Sequence, residues 1–352
     1  MCTRVFNNKS EDYLTTSRNM DWKTQLPTSL FTFKKGLNKS GMESNDDSAL
    51  TWTSVYDSVV TMVGNEESGY GASDGMNSNG LVANVLYDSN AEYLRKDDDS
   101  TKKLDVLRWV QYVLDMYGTV SDVVSEFNKN NIQIVGSRVP GSESEATLHL
   151  SISDKHSDSA IIELVDGKFC IHLSKAFTIM TNEPNFETQI KLNDYWRWQW
   201  SSENKFPSHT IPGGPFPTDR FERAAFYLHH IDAPINAKDS LAQSKSIVAN
   251  ASVPIGFNLT IDDNPNVAPT LWSTISDHNN LIYYFYNVRT PNVVWLNLNQ
   301  LSSNYNVAKL NMVELTADNQ FISHNYDNMI NDNLIPTTDP YQVKPVLLNV
   351  TL

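Results

Sequence analysis

Hydrophobic and polar positions alternate along most of this chain in short blocks, and the blocks read as strands. Residues 50–62 (LTWTSVYDSVVTM) alternate in the β manner. Leu81 to Tyr87 form a second apolar run, behind a turn-rich segment Gly71-Ala72-Ser73-Asp74-Gly75. Further strands are predicted at 146–152, 159–165, 168–173, 177–180, 282–288, 293–297 and 345–351, with a hairpin at Asp166-Gly167. Three segments have helical spacing instead. Leu104, Leu107, Val110 (or Trp109), Leu114 and Tyr117 fall on one face before a stop at Gly118. Thr119 or Ser121 then caps a second helix through Phe127, which makes a helical hairpin. A third helix starts near Pro217-Thr218-Asp219 and presents Phe221, Ala224, Ala225 and Leu228. Asp97-Asp98-Asp99-Ser100 reads as a solvated loop, and 207–217 as a Pro- and Gly-rich one. The pattern implies an α+β fold in which helices cover antiparallel sheets. With no repeat and no low-complexity linker, residues 2–352 read as one domain.

Composition narrows the function. With 40% apolar and 11% aromatic residues in 352, a sizeable core is available. A net charge of −14 argues against nucleic acid, which needs a basic stripe. No run approaches the ~20 apolar residues of a membrane helix. Two cysteines cannot build a disulfide framework or a Cys-rich metal site. The start, Met1-Cys2-Thr3-Arg4, carries no export signal. The chain as given is therefore expected in the cytoplasm, or in the periplasm if a signal was cut away before Cys2.

Cys2 changes the picture most. Removal of Met1 leaves a residue with both a thiol and a free α-amine, which titrates near pH ~8 and can serve as base to its own sulfur. Cys170, between Phe169 and Ile171 in an apolar strand, reads as a buried, inert thiol. Arg18 and Asp21 lie three apart on a strand or turn that returns toward the N-terminus. Alone they would be a surface ion pair of little worth. Beside Cys2, the guanidinium would favour negative sulfur, and the carboxylate would orient the ammonium formed when the amine takes the proton.

Five motifs then occur in order: Met-Cys-Thr-Arg at the start, Arg18-x-x-Asp21-Trp22, Asp74-Gly75-Met76-Asn77-x-x-Gly80-Leu81, Thr181-Asn182-x-Pro184-x-Phe186, and Pro212-Gly213-Gly214 followed by Arg220-Phe221-x-Arg223-Ala224. Together they resemble the choloylglycine hydrolase family, which comprises penicillin V acylases and conjugated bile salt hydrolases, in the N-terminal nucleophile hydrolase superfamily. The resemblance implies a four-layer αββα sandwich of two antiparallel sheets covered by helices. It also implies cleavage of a linear amide through a thioester, with a small-molecule N-acyl amide as substrate and no cofactor or metal. By position, Cys2 matches the nucleophile, Arg18 the arginine beside it, and Asp21 the carboxylate that holds the α-amine. Asn182 matches the asparagine that holds the substrate carbonyl, with Asn185 as the alternative if the register slips. Arg223 matches the family arginine, with Arg220 a near neighbour. The segment between Asn182 and Arg223 is shorter than in many relatives, where it helps assemble tetramers, and a homotetramer is the assembly expected.

Tyr87 admits two readings. Its position matches the family residue whose backbone amide faces the oxyanion, and it also fits an ordinary strand aromatic. Trp196, Trp198 and Trp200, at every second residue, read as core or subunit contact rather than an acyl pocket. His229-His230 lacks companions at metal spacing and suits a helix C-terminus. The sequon at Asn258-Leu259-Thr260 means little in an Asn-rich chain. Shortness of the insert and an aromatic at Tyr87 favour a penicillin V acylase that also deacylates N-acyl-homoserine lactones. A conjugated bile salt hydrolase is the alternative, and an inactive paralogue used as a binding module is the non-enzymatic one.

Overall fold

The computed structural model describes residues 1–43, 47–93, 101–257, 260–261, 264–265, 268–315, 321–322 and 328–343. The expected loop at Asp97–Ser100, the strand at 345–351 and Asn258-Leu259 of the sequon lie outside the described residues.

Two large sheets stack face to face. The first orders its strands Ile179–Met180, Cys2–Asn7, Thr15–Asp21, Thr270–Asp277, Ile282–Asn287, Val293–Asn297 and Asn328–Met329. It is antiparallel except at the last pair. The second runs Lys168–Leu173, Ser159–Val165, Leu148–Ser153, Val82–Tyr87, Gly69–Asn77, Ser58–Asn65, Thr28–Phe33 and Val307–Leu315, with short strands beyond. Helices α1 (Trp109–Met116) and α2 (Val120–Phe127) pack on the outside of the second sheet. On the outer side of the first sheet lie α4 (Pro217–His230) and α5 (Ala237–Asn250), and α3 (Phe186–Trp200) packs on α4. The layers are therefore α, β, β, α, as the family resemblance implies. Among the described residues, no helix is long and apolar enough to cross a membrane.

Several elements differ from the sequence expectation, each for a local reason. The run 50–62 divides into Thr51–Thr53 and Ser58–Asn65. Gly71 to Gly75 is the middle of a strand, not a turn. Its glycines answer close packing: a Cβ on Gly75 would lie 2.5 Å from Val59 O and 2.7 Å from Leu114 Cδ1 of α1. The turn comes later, at Gly80, whose φ of +79° only glycine adopts freely. Leu104 belongs to a strand, Lys102–Asp105, paired parallel with Ile132–Val135. Asp105 then accepts the Leu107 amide at 2.8 Å and opens a 3-10 turn that leads into α1. Thr119 caps α2 by accepting from the Asp122 amide, and Pro217 sits in the first turn of α4. The Asp166-Gly167 hairpin has both residues at positive φ.

Candidate active site

The innermost strands of the first sheet set the geometry. Cys2–Asn7 and Thr15–Asp21 are buried along their whole length, although nine of their thirteen residues are polar. Their register pairs Cys2 with Met20 and Arg4 with Arg18, which brings the chain start beside Asp21. Thr270–Asp277 continues the ladder on the far side, pairing Thr270 with Asp21 and Thr274 with Arg18.

Around the Cys2 sulfur, Arg18 places Nη2 at 3.3 Å, and the same nitrogen donates to Val85 O at 3.2 Å. The Arg18 guanidinium lies 4.7 Å over the Trp272 ring, which fixes its plane. Met20 Sδ is 3.8 Å from the Cys2 sulfur. The Cys2 nitrogen, here an amide because Met1 is attached, donates to Asn182 Oδ1 at 2.7 Å. Asn182 in turn donates from Nδ2 to Tyr87 O at 2.6 Å.

Asp21 and Arg220 form the floor. Both are fully buried, with Asp21 Oδ2 3.4 Å from Arg220 Nη1 and Asp21 Oδ1 accepting from Thr270 Oγ1 at 2.6 Å. Arg220 also donates to Cys2 O, to Thr3 Oγ1 at 2.6 Å and to Asn182 Oδ1 at 2.7 Å. Burial pushes the Asp21 carboxyl upward and lowers the Met1 ammonium, while Arg220 pulls Asp21 back down. Asp21 Oδ2 has no hydrogen bond among the described residues. With Met1 in place the terminal ammonium donates to Asp21 O instead, at 2.8 Å.

Tyr87 contributes backbone. Asp88 N donates to Thr147 O, so by antiparallel alternation the Tyr87 amide turns away from the Leu148–Ser153 strand. It turns toward the side where Val82–Tyr87 has parted from its other neighbour, whose ladder ends at Asp74↔Asn84. Its ring, half-buried, meets Trp22 edge-on at 5.8 Å. A narrow apolar cavity opens from the Cys2 sulfur, lined by Trp22, Val63, Tyr87, Leu107, Pro140 and Leu148 among others.

The structure therefore gathers Cys2, Arg18, Asp21, Tyr87 and Asn182 into one cluster. It does not bring Arg223 there. Arg223 faces the end of α5 and the 212–214 loop instead, where Nε donates to Asn250 O at 2.8 Å and Nη1 to Pro212 O at 3.2 Å. Arg220, one helical turn earlier, occupies the position expected of it, because that face of α4 meets Cys2–Asn7. Asn185 is the N-cap of α3, accepting from Thr188 N at 3.0 Å. Thr270 was not singled out from the sequence, and a lone threonine in a β run gives no signal that it holds a carboxylate. Cys170 is not enclosed in the core: it is half-buried on an edge strand, with Sγ 3.6 Å from His172 Nε2. Trp196, Trp198 and Trp200 lie on α3, and only Trp200 is buried, 4.9 Å from Phe226. His230 Nδ1 donates to Phe226 O at 2.8 Å, near the end of α4.

Comparison with known proteins places this geometry. The family model for linear amide C–N hydrolases, choloylglycine hydrolase family, matches residues 2–311. A penicillin V acylase of Pectobacterium atrosepticum is 38% identical over 317 residues, 86% of this chain and 82% of the relative. The solved structure of a penicillin V acylase from Agrobacterium tumefaciens superposes with a TM-score of 0.81 at 37% identity, covering 97% of this chain and 99% of the other. A C2A mutant of the conjugated bile acid hydrolase from Clostridium perfringens shares the fold, with a TM-score of 0.71 at 19% identity over 94% and 98% of the two chains.

Proposed function

The chain belongs to the choloylglycine hydrolase family and is a hydrolase of linear amides, and from that premise we propose an N-terminal cysteine acylase acting on penicillin V and on N-acyl-homoserine lactones. The observation that carries the reading is the convergence of Arg18, Asp21, Asn182 and Arg220 on Cys2, at the inner end of an apolar cavity. The proposal takes residues 2–352 as one catalytic domain.

Removal of Met1 turns the Cys2 nitrogen into an α-amine without moving it. Asp21 Oδ2, which pairs with Arg220 but accepts no hydrogen bond, and Asn182 Oδ1 then serve it as acceptors. The amine takes the Cys2 thiol proton, and sulfur attacks the acyl carbonyl. The second hydrogen of Asn182 Nδ2 and the Tyr87 amide stabilise the oxyanion, each worth ~3–4 kcal/mol. The ammonium protonates the leaving nitrogen, the amine departs, and a thioester remains. Water attacks it, gives a proton to the amine, and releases the acid with the thiol restored. Arg18 stabilises negative sulfur throughout, and Arg220 holds Asp21 and Asn182 in place.

The cavity supports an aromatic or alkyl acyl group, since Trp22, Tyr87, Leu107, Pro140 and Leu148 supply a dry, flat-walled slot. The test is turnover by Met1-processed protein of penicillin V, an N-acyl-homoserine lactone and glycocholate, with Cys2→Ser alongside. Thiol-dependent cleavage of the first two supports the reading. Cleavage of glycocholate alone moves the assignment to bile salts, and no cleavage by processed protein removes the substrate claim. A homotetramer is part of the same proposal: Leu192, Tyr195 and Trp198 are exposed on α3, an apolar face suited to a subunit contact. Sedimentation equilibrium reads it directly.

A further inference from the structure

A second cluster of reactive side chains lies outside the Cys2 site, at the open edge of the second sheet. Glu163, in Ser159–Val165, stands directly opposite Cys170 of the edge strand Lys168–Leu173. His172, two residues on, projects from the same face. Their donor atoms converge: His172 Nε2 is 3.6 Å from Cys170 Sγ and 2.9 Å from Glu163 Oε2, and all three lie within 4.8 Å of one another. Sulfur, imidazole and carboxylate on one spot is a donor set suited to a borderline-soft dication. The spacing fits as well. A tetrahedral zinc ion with Zn–S of about 2.3 Å and Zn–N of about 2.0 Å holds those two atoms about 3.5 Å apart.

The surroundings also suit an ion. Glu163 is buried, and its Oε1 is fixed by the Phe186 amide at 2.8 Å, which leaves Oε2 to face His172. Asp88 and His149 approach the same carboxylate from the inner side, again within 4.8 Å of one another. His149 is 2% exposed and donates from Nε2 to Thr181 O at 2.9 Å, and its Nδ1 lies 3.9 Å from Asp88 Oδ2. That Nδ1 has no hydrogen bond among the described residues. Cys170 and His172 are half-buried, which gives an ion a way in.

We propose that Glu163, Cys170 and His172 bind one zinc ion, with water in the fourth position, which ties the edge strand to the segment that carries Asn182. The tie runs through Glu163 to the Phe186 amide, with His149 bonded to Thr181 O beside it. Binding exchanges the Cys170 thiol proton for the metal, and His172 stays neutral with its proton on Nδ1.

Cobalt(II) reports such a site through thiolate-to-metal charge-transfer absorption. The full chain with Cys2→Ala, stripped by a chelator, removes the competing thiol. Titration with Co²⁺ should give this band, saturating near about one equivalent, and Zn²⁺ should bleach it. Cys170→Ser in that background should abolish the band, and His172→Gln should weaken Co²⁺ affinity at least about tenfold, with circular dichroism confirming that both are folded. Zn²⁺ should also raise the melting temperature of the Cys2→Ala protein and not that of the Cys170→Ser variant. The proposal is overturned if Cys2→Ala protein gives no band, or if the band survives both substitutions unchanged.

Discussion

Arg220 and Arg223 stand one turn apart on α4, and their environments separate them sharply. Arg220 spends four donors on Pro215 O, Cys2 O, Thr3 Oγ1 and Asn182 Oδ1, all inside the protein. Lysine has the charge but not the planar fork, so it can serve only one or two of these acceptors. Arg220→Lys should therefore lower kcat for amide hydrolysis by about 10–100-fold, at roughly 1.5–3 kcal/mol for charged hydrogen bonds lost. Arg223→Lys, at the half-exposed position, should stay within about twofold. Steady-state kinetics on both folded variants checks the pair, and equal effects would reverse the assignment.

Two other residues give opposite pH dependence. His278 is fully buried between Thr16 Oγ1 (2.8 Å) and Gly80 O (2.7 Å), and burial lowers its pKa to about 4. The unfolded state binds the proton first, so this contribution is complete above the unfolded value and lost as pH falls from about 6.5 through 4. Glu222, buried beneath the amides of Gln189 and Asn193, is raised by burial to about 7. Here the native state holds the proton longer, so stability is complete below about 4.5 and lost as pH rises through 7. Each is worth roughly 3 kcal/mol at most, and over the shared window they oppose one another. Urea unfolding from about pH 4 to 7 should rise with pH in Glu222→Gln and fall with pH in His278→Gln.

The elements legible in the sequence are those whose buried face is apolar. Ser159–Val165, Lys168–Leu173 and α4 emerge within a residue or so from alternation, a hairpin pair or a starting proline. Two helices were not foreseen, and the reason is chemical. On α3 the buried positions are Phe186, Gln189, Asn193 and Trp200, and the two amides are there to bind Glu222. On α5 they are Ser240, Ser244, Ile247 and Val248, and the two serines bond Thr15 Oγ1. Buried polar residues matched to buried partners erase the hydrophobic period that betrays a helix. The site behaves the same way. Cys2, Arg18, Asp21 and Asn182 were legible as motifs, whereas choosing Arg220 over Arg223 required knowing which face of α4 meets the first strand. That element-level view also separates Asn182 from Asn185. Asn185→Ala removes the N-cap of α3 and should cost about 1 kcal/mol of stability with kcat little changed. Asn182→Ala should lower kcat by about 10²–10³ with stability less affected. Kinetics and chemical denaturation on the two variants, run together, should show this exchange of effects.

At the scale of the whole molecule, the last third of the chain is central rather than appended. Thr270–Asp277 lies in the middle of the first sheet and supplies Thr270 to Asp21, while Val307–Leu315 extends the second sheet beside Thr28–Phe33. What fastens the C-terminal segment is a buried charge cluster far from Cys2. Lys39 Nζ is 3.0 Å from Asp115 Oδ2 on α1 and 3.7 Å from Asp339 Oδ2, and it lies 3.9 Å over the Phe33 ring. Trp52 Nε1 and Gln111 Nε2 also donate to Asp115, each at 2.8 Å. Two residues past Asp339, the buried Tyr341 hydroxyl donates to Leu107 O at 2.9 Å, just before α1. One lysine thus stands between two carboxylates from segments more than 200 positions apart in the chain. Removing it leaves both buried and facing each other, the situation in which a broken buried pair costs about 3–5 kcal/mol. Lys39→Met should therefore lower stability by about that much at neutral pH. The loss should shrink on acidification, because protonation of either carboxyl relieves the repulsion, and Lys39→Met/Asp115→Asn should recover part of it at neutral pH. Urea unfolding of the single and double variants near about pH 7 and about pH 5 decides it. A loss for Lys39→Met that is small and independent of pH would mean that the Tyr341 hydroxyl and the backbone pairing of this segment with Val307–Leu315 and Asn38–Ser40 hold it without the charge cluster.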